Sequence, residues 1–170
     1  MSAKILIVDD HEVVREGVRT LIERERPQWE VCGEATNAQE AIEACRRLKP
    51  DLAILDITMP GMSGLEAAPT IVESGCRVLM FTMHQSEQLP IDVSRAGAQG
   101  LVLKSQAGKD LIRAIERILG GGTFFGPDPN PEDGTTPTAL PPDDPNAGSM
   151  KGRPFSWLPD FRSPFSWCPS

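Results

Sequence analysis

Short apolar runs recur along the first 125 residues, each followed by a segment whose apolar residues share a helical face. Ile5-Leu6-Ile7-Val8, Leu52-Ala53-Ile54-Leu55 and Val78-Leu79-Met80-Phe81 do not alternate with polar residues. They therefore read as strands buried on both sides, as in a parallel sheet. Trp29 to Ala35 and Gly100-Leu101-Val102-Leu103 supply two more strands. Between them, Val13, Val14, Val18, Leu21 and Ile22 mark a first helix stopped by Pro27, and Ala41, Ile42, Cys45 and Leu48 mark a second. Leu111, Ile112, Ile115, Ile118 and Leu119 mark the last helix, ended by Gly120-Gly121-Gly122. Five strands alternating with five helices predict an α/β fold. It is a doubly wound five-stranded parallel sheet, with right-handed crossovers laying helices on both faces.

The polar punctuation agrees with this spacing. Asn37 stands where it can cap the second helix, with Glu40 three residues on. Ser63 and Glu66 pair in the same way before the third helix, which Gly75 can close. Ser86 is placed to cap a fourth helix running to Ala96, with Gly97 as its left-handed stop. Pro69 falls inside the third helix and predicts a kink or a shortened helix. Pro90 falls at the end of the first turn of the fourth.

In such a sheet the ligand crevice lies outside the carboxyl ends of the strands. The first strand ends in Asp9 and Asp10, the third in Asp56, the fourth in Thr82 and the fifth in Lys104. Asp56 alone is equally readable as a turn residue ahead of the Pro60-Gly61 loop. Three carboxylates at one edge repel each other unless a cation joins them, and Mg²⁺ suits hard oxygen ligands. Lys104 adds a positive charge and Thr82 a hydroxyl, the parts needed to steady a transferring phosphoryl group. Asp56 is then the natural nucleophile. His11 reads as a residue beside the site and not as a ligand.

Beyond residue 125 the pattern is lost. Residues 126–170 hold eleven of the sixteen prolines and show neither period, which predicts a tail without a fold of its own. Pro154-Phe155-Ser156-Trp157 is echoed by Pro164-Phe165-Ser166-Trp167, and the pair is also readable as aromatic anchors for a partner groove. The expected division is thus 1–125 and 126–170. A net charge of −7 argues against a nucleic-acid-binding surface in the chain as a whole. No apolar run is long enough for a bilayer, and the first residues enter a strand without a signal peptide, which predicts a cytoplasmic protein. Cys32, Cys45, Cys76 and Cys168 lack metal-site or disulfide spacing and read as reduced, mostly buried small apolar groups.

From Lys4 to Thr123 the chain resembles a response-regulator receiver domain of the NarL/FixJ (LuxR-type) family. The likeness rests on Ile7-Val8-Asp9-Asp10-His11, Leu55-Asp56-Ile57-Thr58-Met59-Pro60-Gly61, Phe81-Thr82-Met83-His84 and Val102-Leu103-Lys104-Ser105. It implies the flavodoxin-like receiver fold. It also implies that Asp56 takes a phosphoryl group from the phosphohistidine of a sensor histidine kinase. Asp9, Asp10, Asp56 and the backbone carbonyl of Thr58 would hold Mg²⁺. Thr82 and Lys104 would bind the phosphoryl oxygens, with Thr82 shifting inward, and Thr58 and His84 would tune dephosphorylation. The chemistry implied is self-catalysed phosphotransfer and autodephosphorylation in a signalling protein. A homodimer through the first and fifth helices, or through the fourth helix, fifth strand and fifth helix, stays open.

Two features depart from the family. Many receivers carry an aromatic residue three positions before the lysine, coupled to the switch threonine. Here that position is Leu101, and the chain has no tyrosine. Such regulators also continue into a basic helix-turn-helix domain that reads DNA, whereas 126–170 shows no paired amphipathic helices, so no DNA-binding domain is expected in this chain. Two other classes compete with a phosphoacceptor. A haloacid-dehalogenase-like phosphatase would want a second carboxylate where Thr58 stands. A phosphorylation-insensitive interaction protein would use the acidic receiver and the Phe-Ser-Trp segments as a decoy.

Overall fold

The computed structural model describes residues 2–126. In chain order they form β1 (Lys4–Val8), α1 (Glu12–Glu25), β2 (Glu30–Ala35), α2 (Ala38–Leu48), β3 (Leu52–Leu55) and α3 (Gly64–Glu73). There follow β4 (Arg77–Thr82), α4 (Leu89–Arg95), β5 (Gly100–Leu103), a 3₁₀ turn (Lys104–Gln106), α5 (Ala107–Leu119) and β6 (Phe124–Phe125). All strands are parallel in the order β2-β1-β3-β4-β5-β6. This is the doubly wound sheet with five helices that the sequence predicts, with a sixth, two-residue strand added at one edge. Of the predicted tail, residues 127–170, with the Phe-Ser-Trp segments and Cys168, lie outside the described residues.

The unbroken apolar runs are explained by two cores. Leu6, Val8, Ala53, Leu55, Val78, Met80 and Leu101 pack on the side of α2, α3 and α4. Ile5, Ile7, Leu52, Ile54, Leu79, Phe81 and Val102 pack on the side of α1 and α5. Successive strand residues point to opposite faces, and both faces are dry, so every position must be apolar. Each fully buried Leu or Ile contributes about 1.5–3 kcal/mol. No described helix is long and apolar enough to cross a membrane.

The caps follow local chemistry. Asn37 accepts the Glu40 N–H, but the Glu40 carboxylate reaches back one residue further than a capping box requires, to Thr36 N and Oγ1. Ser63 and Glu66 form the full reciprocal box. Gly75 (φ 88°) and Gly97 (φ 84°) take the left-handed turns expected after α3 and α4.

The fourth helix differs from expectation at its start. It begins at Leu89, with Gln88 as N-cap, and Ser86 instead closes a turn by accepting the Leu89 N–H on both Oγ and its carbonyl. Pro90 is the reason. A helix capped by Ser86 would need the Pro90 N–H to meet the Ser86 carbonyl. Starting two residues later puts the proline in the first turn, where its missing donor costs nothing.

Pro69 stops nothing: α3 is continuous from Gly64 to Glu73. The ring still denies the Leu65 carbonyl its donor, and Pro69 is exposed, so it contributes no core packing in return. Pro69→Ala is expected to stabilise the protein by about 1–3 kcal/mol, read from urea unfolding midpoints at unchanged slope.

Cys45 and Cys76 are buried free thiols, and Cys32 is half-buried. Distant in sequence, Cys45 and Cys76 meet in the fold. The hydrogen bond to Cys45, together with burial, pushes the Cys76 thiol well above its usual range.

Candidate functional site

The parallel topology brings the carboxyl ends of β1, β3, β4 and β5 to one edge, and the polar residues that follow them meet there. Asp9 and Asp56 are almost fully buried, at 1% and 3% exposure, while Asp10 faces outward. The backbone fixes both buried carboxylates: Asp9 N–H donates to the Ala35 carbonyl at 3.1 Å and Asp56 N–H to the Val8 carbonyl at 2.9 Å. Their strands are therefore locked in register before any side chain meets.

Lys104 joins them. Its Nζ donates to Asp56 Oδ2 at 3.0 Å and stands 2.5 Å from Asp9 Oδ2. The second contact is an ion pair without the alignment of a hydrogen bond, since Asp9 Oδ2 has no hydrogen-bond partner. Asp56 Oδ1 accepts the Thr58 N–H at 3.2 Å. Thr82 is fully buried at the end of β4, and its Oγ1 accepts the His84 N–H at 3.1 Å. His84 itself is exposed, as is Thr58. Leu101 lies one strand away in the α4-side core and is not part of the cluster.

Three further residues belong here: His11, which the sequence sets beside the site, and Arg15 and Gly64, which it does not single out. His11 Nδ1 lies 2.9 Å from Asp10 Oδ1 and 3.1 Å from Asp9 Oδ1, and its backbone N–H donates to Asp9 Oδ1. The expectation that it is no ligand is not decided by this, but the ring does stand within the donor cluster. Arg15 Nη1 donates to the Asp9 carbonyl at 2.8 Å while its Nε holds Glu34. Gly64 opens α3 directly against the Asp56 backbone: a Cβ there would lie 2.1 Å from the Asp56 carbonyl oxygen. Only His11, adjacent to the paired aspartates, carried a signal in the sequence.

Charge decides what this arrangement lacks. Three carboxylates face one ammonium, and one lysine cannot neutralise them. Burial pushes the Asp56 carboxyl above the ordinary carboxylate range; the Lys104 ammonium pulls it down, and Asp9 pushes it up again. Burial alone would lower Lys104, yet its pairing with Asp9 and its hydrogen bond to and charge pairing with Asp56 hold it above its usual value. Lys104 is thus a fixed cation, and the residual charge at the cluster is negative. Donor atoms of Asp9, Asp10, His11 and Asp56 lie within 4.8 Å of one another. The set is mainly hard oxygen, partly open to water, and under-neutralised, which fits a divalent cation such as Mg²⁺.

Comparison with known proteins gives a consistent picture. A family model described as the response regulator receiver domain matches residues 5–116. The response regulator UvrY of Escherichia coli K12 is 36% identical over 126 residues, covering 73% of this chain and 57% of UvrY. The nitrate/nitrite response regulator protein NarL of the same organism is 37% identical over 121 residues, covering 70% and 56%. A crystal structure of a LuxR-family two-component response regulator from Aurantimonas sp. SI85-9A1 superposes with a TM-score of 0.69 at 44% identity. It covers 73% of this chain and 89% of that one. The chain spans a little over half the length of the curated relatives it matches.

Proposed function

This chain belongs to the response-regulator receiver family of NarL/LuxR-type two-component systems, and from that premise we propose that Asp56 is its phosphoacceptor. The observation that carries the reading is Lys104 Nζ bridging Asp56 and Asp9 at the carboxyl edge of the sheet. The donor is the phosphohistidine of a sensor histidine kinase.

An Asp56 carboxylate oxygen attacks phosphorus in line. The new P–O bond forms as the P–N bond breaks, and the imidazole leaves with the bonding electrons and takes up a proton. Asp56 becomes an acyl phosphate. Lys104, already at hydrogen-bond distance from the attacking carboxylate, follows the charge onto the phosphoryl oxygens. Thr82 supplies a hydroxyl donor once it turns from His84. Asp9, Asp10, Asp56 and the Thr58 carbonyl would hold Mg²⁺, which when bound offsets the repulsion between carboxylates and entering phosphoryl group. Thr58 and His84, both exposed, would govern water access to the acceptor and so the rate of autodephosphorylation.

The setting proposed is cytoplasmic, with a homodimer formed through α1 and α5 or through α4, β5 and α5. Transcriptional regulation is what the names of relatives state, not a role assigned to this chain. Incubation with acetyl phosphate is expected to add one phosphoryl group per chain in the presence of Mg²⁺ and none when the cation is chelated, read by intact mass. Labelling at the same rate in chelator would overturn the assignment of the acidic cluster.

A further inference from the structure

Leu101 leaves the receiver without an aromatic at the position usually coupled to the switch threonine, and the fold places another ring beside it. Parallel pairing of β5 with β6 sets Leu101 directly against Phe125 and Gly100 against Phe124. Paired residues of a parallel ladder project to the same face, and neighbours along a strand to opposite faces. Phe124 is buried in the α1/α5 core. Phe125 therefore stands with Leu101 on the side of α4, and it is 37% exposed where Phe124 is 4%.

Beside it lies a cavity of about 130 Å³ bordered by Gln85, Ser86, Leu89, Leu101 and Phe125. That volume is close to the roughly 150 Å³ of an engineered apolar cavity that accepts benzene. A half-exposed ring thus borders a space of nearly its own size.

The loop that walls the cavity is anchored to the end of β4 by a hydrogen bond. Thr82 Oγ1 accepts the His84 N–H and so anchors the start of the β4–α4 loop, whose next residues, Gln85 and Ser86, form the cavity wall. A phosphoryl oxygen is a charged acceptor, and a hydrogen bond to it is about twice as strong as a neutral one. The hydroxyl can accept and donate at once, so it is displacement of Oγ1 toward a phosphorylated Asp56 that frees the His84 N–H and shifts the loop walling the cavity.

We infer that Phe125 is the reporting aromatic of this receiver, entering the cavity beside Leu101 when Thr82 turns toward an occupied Asp56. The inference rests on Asp56 being the phosphoacceptor. It makes β6 the element that carries the switch, and Phe125 lies one residue before the end of the described chain.

The test uses the full chain with fluorinated phenylalanine, the Phe125 signal being identified by its loss in Phe125→Leu. Loading Asp56 with beryllofluoride and Mg²⁺ is expected to move that signal to a buried position. Leu101→Phe fills the cavity with its own ring and is expected to shrink the movement at least twofold at equal loading. Full loading, read from the bound beryllofluoride fluorines, with a stationary Phe125 signal overturns the inference. So does a movement that Leu101→Phe leaves intact. Failure of beryllofluoride to bind at all instead removes Asp56 as acceptor, and the switch falls with it.

Discussion

Asp56→Asn is expected to take no phosphoryl group from acetyl phosphate and, in the absence of divalent cations, to melt at a higher temperature than the parent protein. The two effects have one origin. The carboxamide lacks the nucleophilic oxyanion, so labelling falls to background. It also removes a buried negative charge from a cluster that a single lysine does not neutralise. The direction of the second effect follows from proton linkage. Burial raises the folded-state value of Asp56 above that of the unfolded chain. Between the two values the folded protein binds the extra proton, so the cost of ionised Asp56 is fully present above the folded value. That cost is relieved as pH falls through it. The advantage of Asp56→Asn in metal-free thermal melts should therefore be largest near neutral pH and shrink on acidification. Loss of labelling with retained or raised stability separates a missing nucleophile from a damaged fold. If Asp56→Asn labels at the parent rate, another residue is the acceptor.

Gly64→Ala is expected to be the most damaging added methyl among the described glycines. The added Cβ would lie 2.1 Å from the Asp56 carbonyl oxygen and 2.9 Å from its carbon, a clash with backbone that no rotamer relieves. The two segments cannot separate freely, because Gly64 N–H also donates to the Ile57 carbonyl at 2.9 Å and Ser63 and Glu66 fix the first turn of α3. Overpacking of this kind costs about 3 kcal/mol, which for a domain of this size lowers the melting temperature by roughly 10 °C. The backbone displaced is that of the proposed nucleophile, so labelling of the still-folded fraction should slow on the order of tenfold to a hundredfold. Gly61→Ala provides the contrast. Its φ of 83° strains a side chain, but no neighbour lies within 4 Å, and a loss of about 1 kcal/mol is expected. Equal stability of the two variants would mean that the β3–α3 loop yields more easily than its hydrogen bonds suggest.

Much of this molecule can be read before it is folded. Apolar runs that never alternate, separated by helical stripes, admit few arrangements other than a parallel sheet covered on both faces. Once the strands are parallel, their carboxyl ends must share an edge. Asp9, Asp10, Asp56 and Lys104 are brought together by that rule alone, which is why their convergence was legible. Helix ends were legible where one residue sets them, as at Ser63, Gly75 and Gly97. The fourth helix was not, because Pro90 and Ser86 made opposing local demands and the proline prevailed. Two residues carry no period, so β6 left no trace in the pattern.

The sequence by itself determined which side chains gather at the sheet edge, because topology places strand ends regardless of what the side chains then do. Only the tertiary structure decided how they are partnered. Lys104 bridges two carboxylates, His11 joins the acidic cluster, Thr82 is held by His84, and Gly64 lies against the backbone of Asp56. It also set Phe125 beside Leu101. Each of these depends on distances of a few ångströms between segments far apart in the chain, and such distances are fixed by packing, not by period or propensity.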